Sequence, residues 1–303
     1  SLEMRDPLYD VPGLFRIVKC SSCGFMFTNP RPKREYLDGL YETYYGDHES
    51  RFATKDRPLR SAMVRSLLLR QAYQRVFGNC LGTILRKARG RVLDVGCGSG
   101  AMLKELEALG LEAYGIEPNP KAVQACLKKG LRVVEGTLED ATYPGSYFDT
   151  IILWHVLEHV PSPRSTLSSM YPILKPEGRV FICCPNSASY MADLFKQFWA
   201  GWHIPFHLSH FTPETMKSLI LGTSFQPILF RAVTPDFLFP KSLEAYVRNV
   251  KKSLLGPISS KMTRPLLFRG IAALLFRFLD VLFAGKGECL QVEIMKSGNA
   301  YDM

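Results

Sequence analysis

The chain has 303 residues, of which 47% are apolar and 22% charged, with a mean hydropathy of −0.01. That balance marks a soluble globular protein of one large domain or two modest ones, and excludes a disordered or low-complexity chain. The net charge of +10 favours an anionic partner (nucleotide, nucleic acid or anionic lipid surface), and a solvated basic surface accounts for it equally well. Eight cysteines at irregular spacings, several inside apolar runs, point to buried reduced thiols in a cytoplasmic protein and not to a disulfide framework. No N-terminal signal peptide is visible.

The chain opens with an arm, residues 1–60. Phe15–Lys19 reads as a short strand entering Cys20-Ser21-Ser22-Cys23-Gly24, with Phe25–Phe27 as its hairpin partner, and Pro30 and Pro32 end the ladder. Two thiols spaced this way can face one zinc ion, but tetrahedral zinc takes four ligands and no second pair lies near in the sequence. Tyr36, Tyr41, Tyr44 and Tyr45 make the next segment aromatic; it reads as a helix packed on the core. Residues 61–89 read as a helical segment.

The core is expected over 90–235. A strand over Val92–Val95 runs into Gly96, Gly98 and Gly100, and a helix over Ala101–Leu109 follows, stopped by Gly110. Leu111–Ile116 reads as the second strand, ending at Glu117. Asn119–Lys129 is a helix, Leu131–Glu135 a third strand, and Phe148–Leu153 a fourth whose unbroken apolar run suits a parallel strand covered on both faces. Pro163–Leu174 is a helix and Arg179–Cys184 a fifth strand. Alternation of this kind predicts an α/β fold with a doubly wound, mostly parallel sheet and its ligand at the carboxyl ends of the strands. Thr212 and Pro213 start another helix, running to Leu221; Phe225–Ala232 and Cys289–Met295 are the last strands, the latter within 288–303. Between them, 236–287 is an insertion far longer than a hairpin loop. Its apolar run Leu266–Ala284, interrupted by Arg269, Arg277 and Asp280, fits a buried helical cap or an interfacial helix better than a membrane span.

The glycine loop brings backbone N–H groups against a ligand where no Cβ obstructs, and Glu117 is spaced to accept hydrogen bonds from ribose hydroxyls. The pattern Asp94-x-Gly96-x-Gly98-x-Gly100 departs from a dinucleotide fingerprint, because its third glycine comes one residue early and an acid precedes it. An acid there suits a cationic ligand and repels phosphate. Together with Gly115-Ile116-Glu117-Pro118-Asn119, Phe148 to Val160, and Leu174-Lys175-Pro176-Glu177-Gly178, the loop resembles the class I S-adenosylmethionine-dependent methyltransferases over at least residues 90–186. The resemblance implies a Rossmann-like fold and S-adenosyl-L-methionine as cofactor. It places Gly96, Gly98 and Gly100 around the methionine moiety, Glu117 on the ribose, and Gly136, Thr137 and Leu138 near the adenine. Asp94, Cys97, Pro118 and Trp154 complete the expected cofactor-binding set. The resemblance also implies that the segment of Tyr36, Tyr41, Tyr44 and Tyr45 is a lid over the cofactor mouth.

Methyl transfer from a sulfonium needs an aligned acceptor, a dry site and often a base, for which histidine is the first choice. Five of the six histidines fall in two clusters. The first, Trp154-His155-Val156-Leu157-Glu158-His159, follows the fourth strand; His155 is its base candidate, while Glu158 and His159 are expected to hold the loop. The second, Trp202-His203-Ile204-Pro205-Phe206-His207-Leu208-Ser209-His210, resembles the His-containing loop of sugar C-methyltransferases. That resemblance makes His207 the base and His203 or Trp202 a substrate contact. It extends to the hairpin of Cys20 and Cys23, although the upstream cysteine pair and the tandem His-Glu-His of such enzymes are missing here. The reading is a methyltransferase acting on an O or C atom of a small-molecule or carbohydrate-type acceptor. Alternatives are an RNA methyltransferase, which the charge suits but for which no basic stripe with interleaved aromatics is evident, and a cofactor-binding module at a membrane surface. The oligomeric state is not legible.

Overall fold

The structure is a computed structural model that describes residues 2–41, 43, 80–235, 238–250, 275–276, 278–280 and 282–297. Three expectations fall partly outside the described residues: the lid at 44–45, the helical segment at 61–79, and the cap over 251–274.

The main sheet has seven strands in the order β10-β11-β8-β7-β4-β5-β6. These are β4 (Arg91–Val95), β5 (Glu112–Glu117), β6 (Val133–Glu135), β7 (Phe148–Trp154), β8 (Leu174–Pro185), β10 (Phe225–Val233) and β11 (Cys289–Lys296). Strands β8, β7, β4, β5 and β6 run parallel, while β11 is antiparallel to both its neighbours. The doubly wound sheet is therefore as expected from the alternation of patterns. The Leu174–Gly178 turn is absorbed into β8, because Leu174 pairs with Phe148 across a bulge before the regular ladder begins at Arg179.

Burial explains why β7 is apolar at every residue of its centre. Ile151, Ile152 and Leu153 are fully buried. Ile151 and Leu153 pack with Leu167, Met216 and Phe225 in one layer, and Ile152 packs with Ile84, Leu103 and Cys126 in the other. The first layer holds α5 (Pro163–Ile173) and α7 (Pro213–Leu221); the second holds α2 (Cys80–Lys87), α3 (Ala101–Ala108) and α4 (Pro120–Leu127). Local caps fix the helix starts. Asn119 accepts from the N–H groups of Lys121 and Ala122, and Thr212 and Thr215 form a capping box. The chain steps outward from β4 through β5 to β6, then returns to β7 on the other side of β4. The carboxyl ends of β4 and β7 thus flank a topological switch point, where α/β sheets bind ligands.

A second sheet holds the arm. β1 (Leu2–Met4), β2 (Phe15–Lys19) and β3 (Met26–Asn29) are joined by β9 (Ser209–His210), a strand contributed by the second histidine cluster. Met26 pairs with His210 and Phe27 with Ser209. Thr28 is fully buried behind them; its N–H donates to Leu208 O at 3.1 Å and its hydroxyl to His207 O at 2.6 Å. The arm's first helix is α1 (Arg34–Leu40). Met4, Phe15 and Ile17 of the arm share a cluster with Phe195 of α6 (Tyr190–Phe195), with Trp199, Trp202 and Ile204, and with Phe276 of the insertion. Phe239 and Leu243 of α8 (Leu238–Val250) pack against it. Arm, histidine loop and insertion therefore bury one another. Among the described residues no helix is long and apolar enough to cross a membrane.

Thr28→Val keeps the shape of this junction but leaves the His207 carbonyl without its hydroxyl donor. It should lower the free energy of unfolding by about 1–3 kcal/mol, read from urea denaturation.

Candidate active site

The loop after β4 turns through Gly96, Gly98 and Gly100 at φ of 67°, 51° and 78°. A Cβ at Gly96 would lie 2.7 Å from Val156 Cγ2, and one at Gly100 would lie 2.3 Å from Leu131 Cδ1, so both backbone conformation and space require glycine. Gly96 N–H and Cys97 N–H both donate to Ile116 O, at 2.8 and 3.2 Å, which locks the loop to the end of β5. Cys97 turns its side chain away from solvent: it is 7% exposed and its sulfur lies against Gly115, so burial pushes its thiol pKa up. What Cys97 offers a ligand is its backbone.

Glu117 ends β5 and closes the loop from the other side. Its carboxylate accepts from Gly98 N–H and from Asn119 N–H, each at 2.9 Å. Two N–H bonds leave lone pairs on both oxygens for further donors such as ribose hydroxyls. Asp94 lies within β4 and is 2% exposed. Burial and the neighbouring Glu117 charge push its pKa up to about 8. Burial also raises Glu117, against the two N–H donors that lower it. The two acids thus make a buried, cation-seeking floor beneath a glycine cradle, which fits the ammonium and sulfonium charges and the ribose diol of an adenosyl donor. Of the residues expected near adenine, Leu138 is buried in the main core and Thr137 donates its hydroxyl to Asp140 at 2.6 Å. Gly136 N–H bonds Glu117 O at 3.0 Å, and Pro118 is exposed at the same edge.

Across the switch point, β7 ends at Trp154, paired in register with Cys183. His155 follows in a left-handed conformation (φ 54°), held by its N–H on Cys183 O at 2.8 Å. Its Nδ1 lies 3.1 Å from Glu158 Oε1. Burial opposes charge on His155, but contacts with the Cys183 side chain and Glu158 outweigh it and lift the pKa to about 10. Glu158 is 1% exposed, and its main-chain carbonyl accepts from Leu208 N–H at 2.8 Å and Ser209 N–H at 3.1 Å.

The two histidine clusters, 44 to 52 residues apart at His203 and His207 relative to His159 and His155, converge here. His159 Nδ1 lies 3.1 Å from Phe206 O and 2.7 Å from the Tyr41 hydroxyl. His207 Nδ1 donates to Gly201 O at 2.9 Å, while its Nε2 lies 3.3 Å from His203 Nδ1 and 4.0 Å from Glu158 Oε1. Burial holds the pKa of His159 below the ordinary value, and those of His203 and His207 well below it. One cationic imidazole therefore faces the carboxylate, and three neutral ones stand behind it. His210 is held apart, its Nε2 at 3.0 Å from the Thr28 hydroxyl.

Other expected residues lie outside this convergence. Trp202 is 7% exposed; its indole N–H donates to Lys196 O at 2.7 Å and it packs edge-on against Trp199. Cys20 and Cys23 sit at the hairpin tip, half-buried and exposed, and among the described residues no further His, Cys, Asp or Glu joins them in a group of three. What sequence reasoning missed is the meeting of His159, His203 and His207, with Glu158 4.0 Å from His207. The His203-x-x-x-His207 spacing signals a shared face, but nothing in the sequence joins it to Glu158-His159.

Asp94 supplies a test of the floor. Its folded-state pKa is above the ordinary 3.8, so the native state keeps a proton that the unfolded chain releases. Stability therefore falls as pH rises between 3.8 and about 8. Asp94→Asn should flatten that decline, measured as the thermal midpoint across the same window.

Comparison with known proteins agrees with this geometry. The family described as "Methyltransferase domain" matches residues 64–228, more than half of the chain. A ubiquinone biosynthesis O-methyltransferase of Xanthomonas euvesicatoria pv. vesicatoria is 30% identical over 181 residues, covering 56% of this chain and 65% of that protein. One from Nitrosococcus oceani is 40% identical over 171 residues, covering 52% and 61%. The chain thus spans just under two thirds of these relatives' own length. In fold, it is similar to a SAM-dependent methyltransferase from Archaeoglobus fulgidus, with a TM-score of 0.50 at 21% identity, covering 84% of this chain and all of that one. Carrying the domain over more than half its length, with the glycine cradle and carboxylate in place, this chain belongs to the S-adenosylmethionine-dependent methyltransferase family.

Proposed function

We propose that the protein transfers a methyl group to an oxygen of a small-molecule acceptor held at the switch point between β4 and β7. One observation carries this reading: the glycine cradle after β4 stands beside the histidine-rich turn after β7, so a donor methyl and a proton acceptor can share one crevice. Oxygen as the acceptor atom is supported by the O-methyltransferase names of the relatives. A carbohydrate-type acceptor or a carbon centre rests on the resemblance of the His207 loop alone.

The donor supplies a methyl group already activated by sulfonium charge. The chain's own work is to hold, align, exclude water and take a proton. In this reading Gly96, Gly98 and Gly100 wrap the methionine end over Asp94. Glu117 takes the ribose, and Pro118, Thr137, Leu138 and Trp154 border the adenosyl group. His207 takes the acceptor's proton. Its Nδ1 hydrogen is committed to Gly201 O, so its Nε2 lone pair is the accepting one, and burial keeps it unprotonated at neutral pH. His155, charged against Glu158, positions the loop instead of accepting a proton. His203, 3.3 Å from His207, orients it, and Trp202 supports the loop from its packed face.

With labelled S-adenosylmethionine and a panel of small hydroxylated acceptors, His207→Ala should lower kcat by about a hundredfold or more. Its S-adenosylhomocysteine affinity should stay unchanged by calorimetry. His155→Ala should chiefly raise the acceptor KM. Full turnover in His207→Ala would remove the base assignment. Glu117→Ala should weaken S-adenosylhomocysteine binding by about tenfold to a hundredfold, the worth of hydrogen bonds to a charged group.

A further inference from the structure

We propose that His159, His203 and His207, with Glu158 supplying the negative charge, bind one divalent transition-metal ion of the zinc class. Each of the three histidines offers one ring nitrogen, and these nitrogens all lie within 4.8 Å of one another. Tetrahedral ligation at ordinary Zn–N lengths places nitrogens about 3.3 Å apart. The His203 Nδ1 to His207 Nε2 separation is already 3.3 Å.

The surroundings of the rings match those of ligands. A metal-bound imidazole donates its other N–H to a carbonyl or carboxylate, which fixes the tautomer and aims the free lone pair. His159 Nδ1 is placed to do so to Phe206 O at 3.1 Å, and His207 Nδ1 to Gly201 O at 2.9 Å. In the tautomer with hydrogen on Nδ1, each ring turns an Nε2 lone pair toward its neighbours, His207 Nε2 lying against His203 Nδ1. The rings are crowded, with His159 and His207 centroids 4.5 Å apart and His203 and His207 4.8 Å apart.

Glu158 is the independent observation. It is 1% exposed, its Oε1 lies 4.0 Å from His207 Nε2, and its Oε2 has no hydrogen-bond partner among the described residues. His155 already pairs Oε1, and the unpartnered Oε2 leaves this buried carboxylate with acceptor capacity that a second cationic group can use. A cation among the imidazoles is such a group. Three imidazoles and a carboxylate, without a thiolate, select zinc, cobalt or nickel over magnesium or calcium, which prefer oxygen ligands. The site also differs in chemistry from the Cys20 and Cys23 hairpin.

The site stands on its own geometry. Only its consequence for turnover rests on the base reading above: an ion on His207 Nε2 takes the lone pair assigned to the acceptor's proton. The test is metal binding by the full chain, stripped with a chelator and titrated with ZnCl2 against a chromogenic competitor, then loaded with CoCl2 or ZnCl2 for X-ray absorption. The expected result is one equivalent per chain with nitrogen and oxygen ligands only and imidazole outer-shell scattering. His203→Gln and His207→Gln should each weaken Zn2+ binding by at least about a hundredfold, beyond what loss of an outer-shell partner costs. The Cys20→Ser/Cys23→Ser double variant should bind as tightly as the parent. S-adenosylhomocysteine calorimetry checks that the histidine variants are folded; if they are not, the absorption spectrum of the unsubstituted chain decides alone. Sulfur in the first shell would place the ion at the hairpin or at His155 with Cys183 and Cys289, and would overturn the proposal. So would the absence of a stoichiometric ion. Metal content is read apart from methyl transfer, so failure of either reading is seen separately; an ion found on His207 Nε2 would itself remove the base assignment.

Discussion

Glu158 is the constraint through which the rest of the site is built. Its main-chain carbonyl receives the N–H groups of Leu208 and Ser209, and its carboxylate lies between His155 and His207. Ser209 and the following His210 pair with β3 of the arm, and Thr28 seals the junction. A carboxylate 1% exposed must be neutralised or paired, and His155 at the end of β7 does the pairing. Sheet end, histidine loop and arm are thereby committed to one arrangement. Moving any of them strands a buried charge or an unpaired carbonyl.

The crevice has two electrostatic halves. On the β4–β5 side, Asp94 and Glu117 are acids under a glycine loop, and burial biases Asp94 toward its neutral form. A cationic ligand beside these acids would reverse that bias. On the β7 side the histidines behind Glu158 are neutral and closely packed. Neutral imidazoles do not repel an approaching sulfonium, and they keep lone pairs available for protons or metal. Under the proposed function the first half reads the donor and the second, with its arm strand and packed insertion, meets the acceptor.

Much of the first half was legible in the sequence, because its signals are local. Glycines at alternate positions after an apolar strand, an acid at Glu117 and the unbroken run of β7 each follow from one stretch of chain. The second half depends on contacts far apart in sequence. Strand β9 is only two residues long and forms because β3 offers an edge. No periodicity marks so short a strand. Trp202 and His203 read alike as polar-tipped candidates beside His207, yet the fold packs Trp202 among Met4, Phe15 and Ile17 and turns His203 onto His207. Only tertiary packing makes that choice.

The most direct test of the central claim is a crystal structure with S-adenosylhomocysteine bound. The account predicts its ribose on Glu117, its methionine end within the Gly96–Gly100 turn, and its sulfur facing the His155–Glu158 turn across the switch point. A ligand lying elsewhere, or one whose sulfur points away from β7, would contradict it.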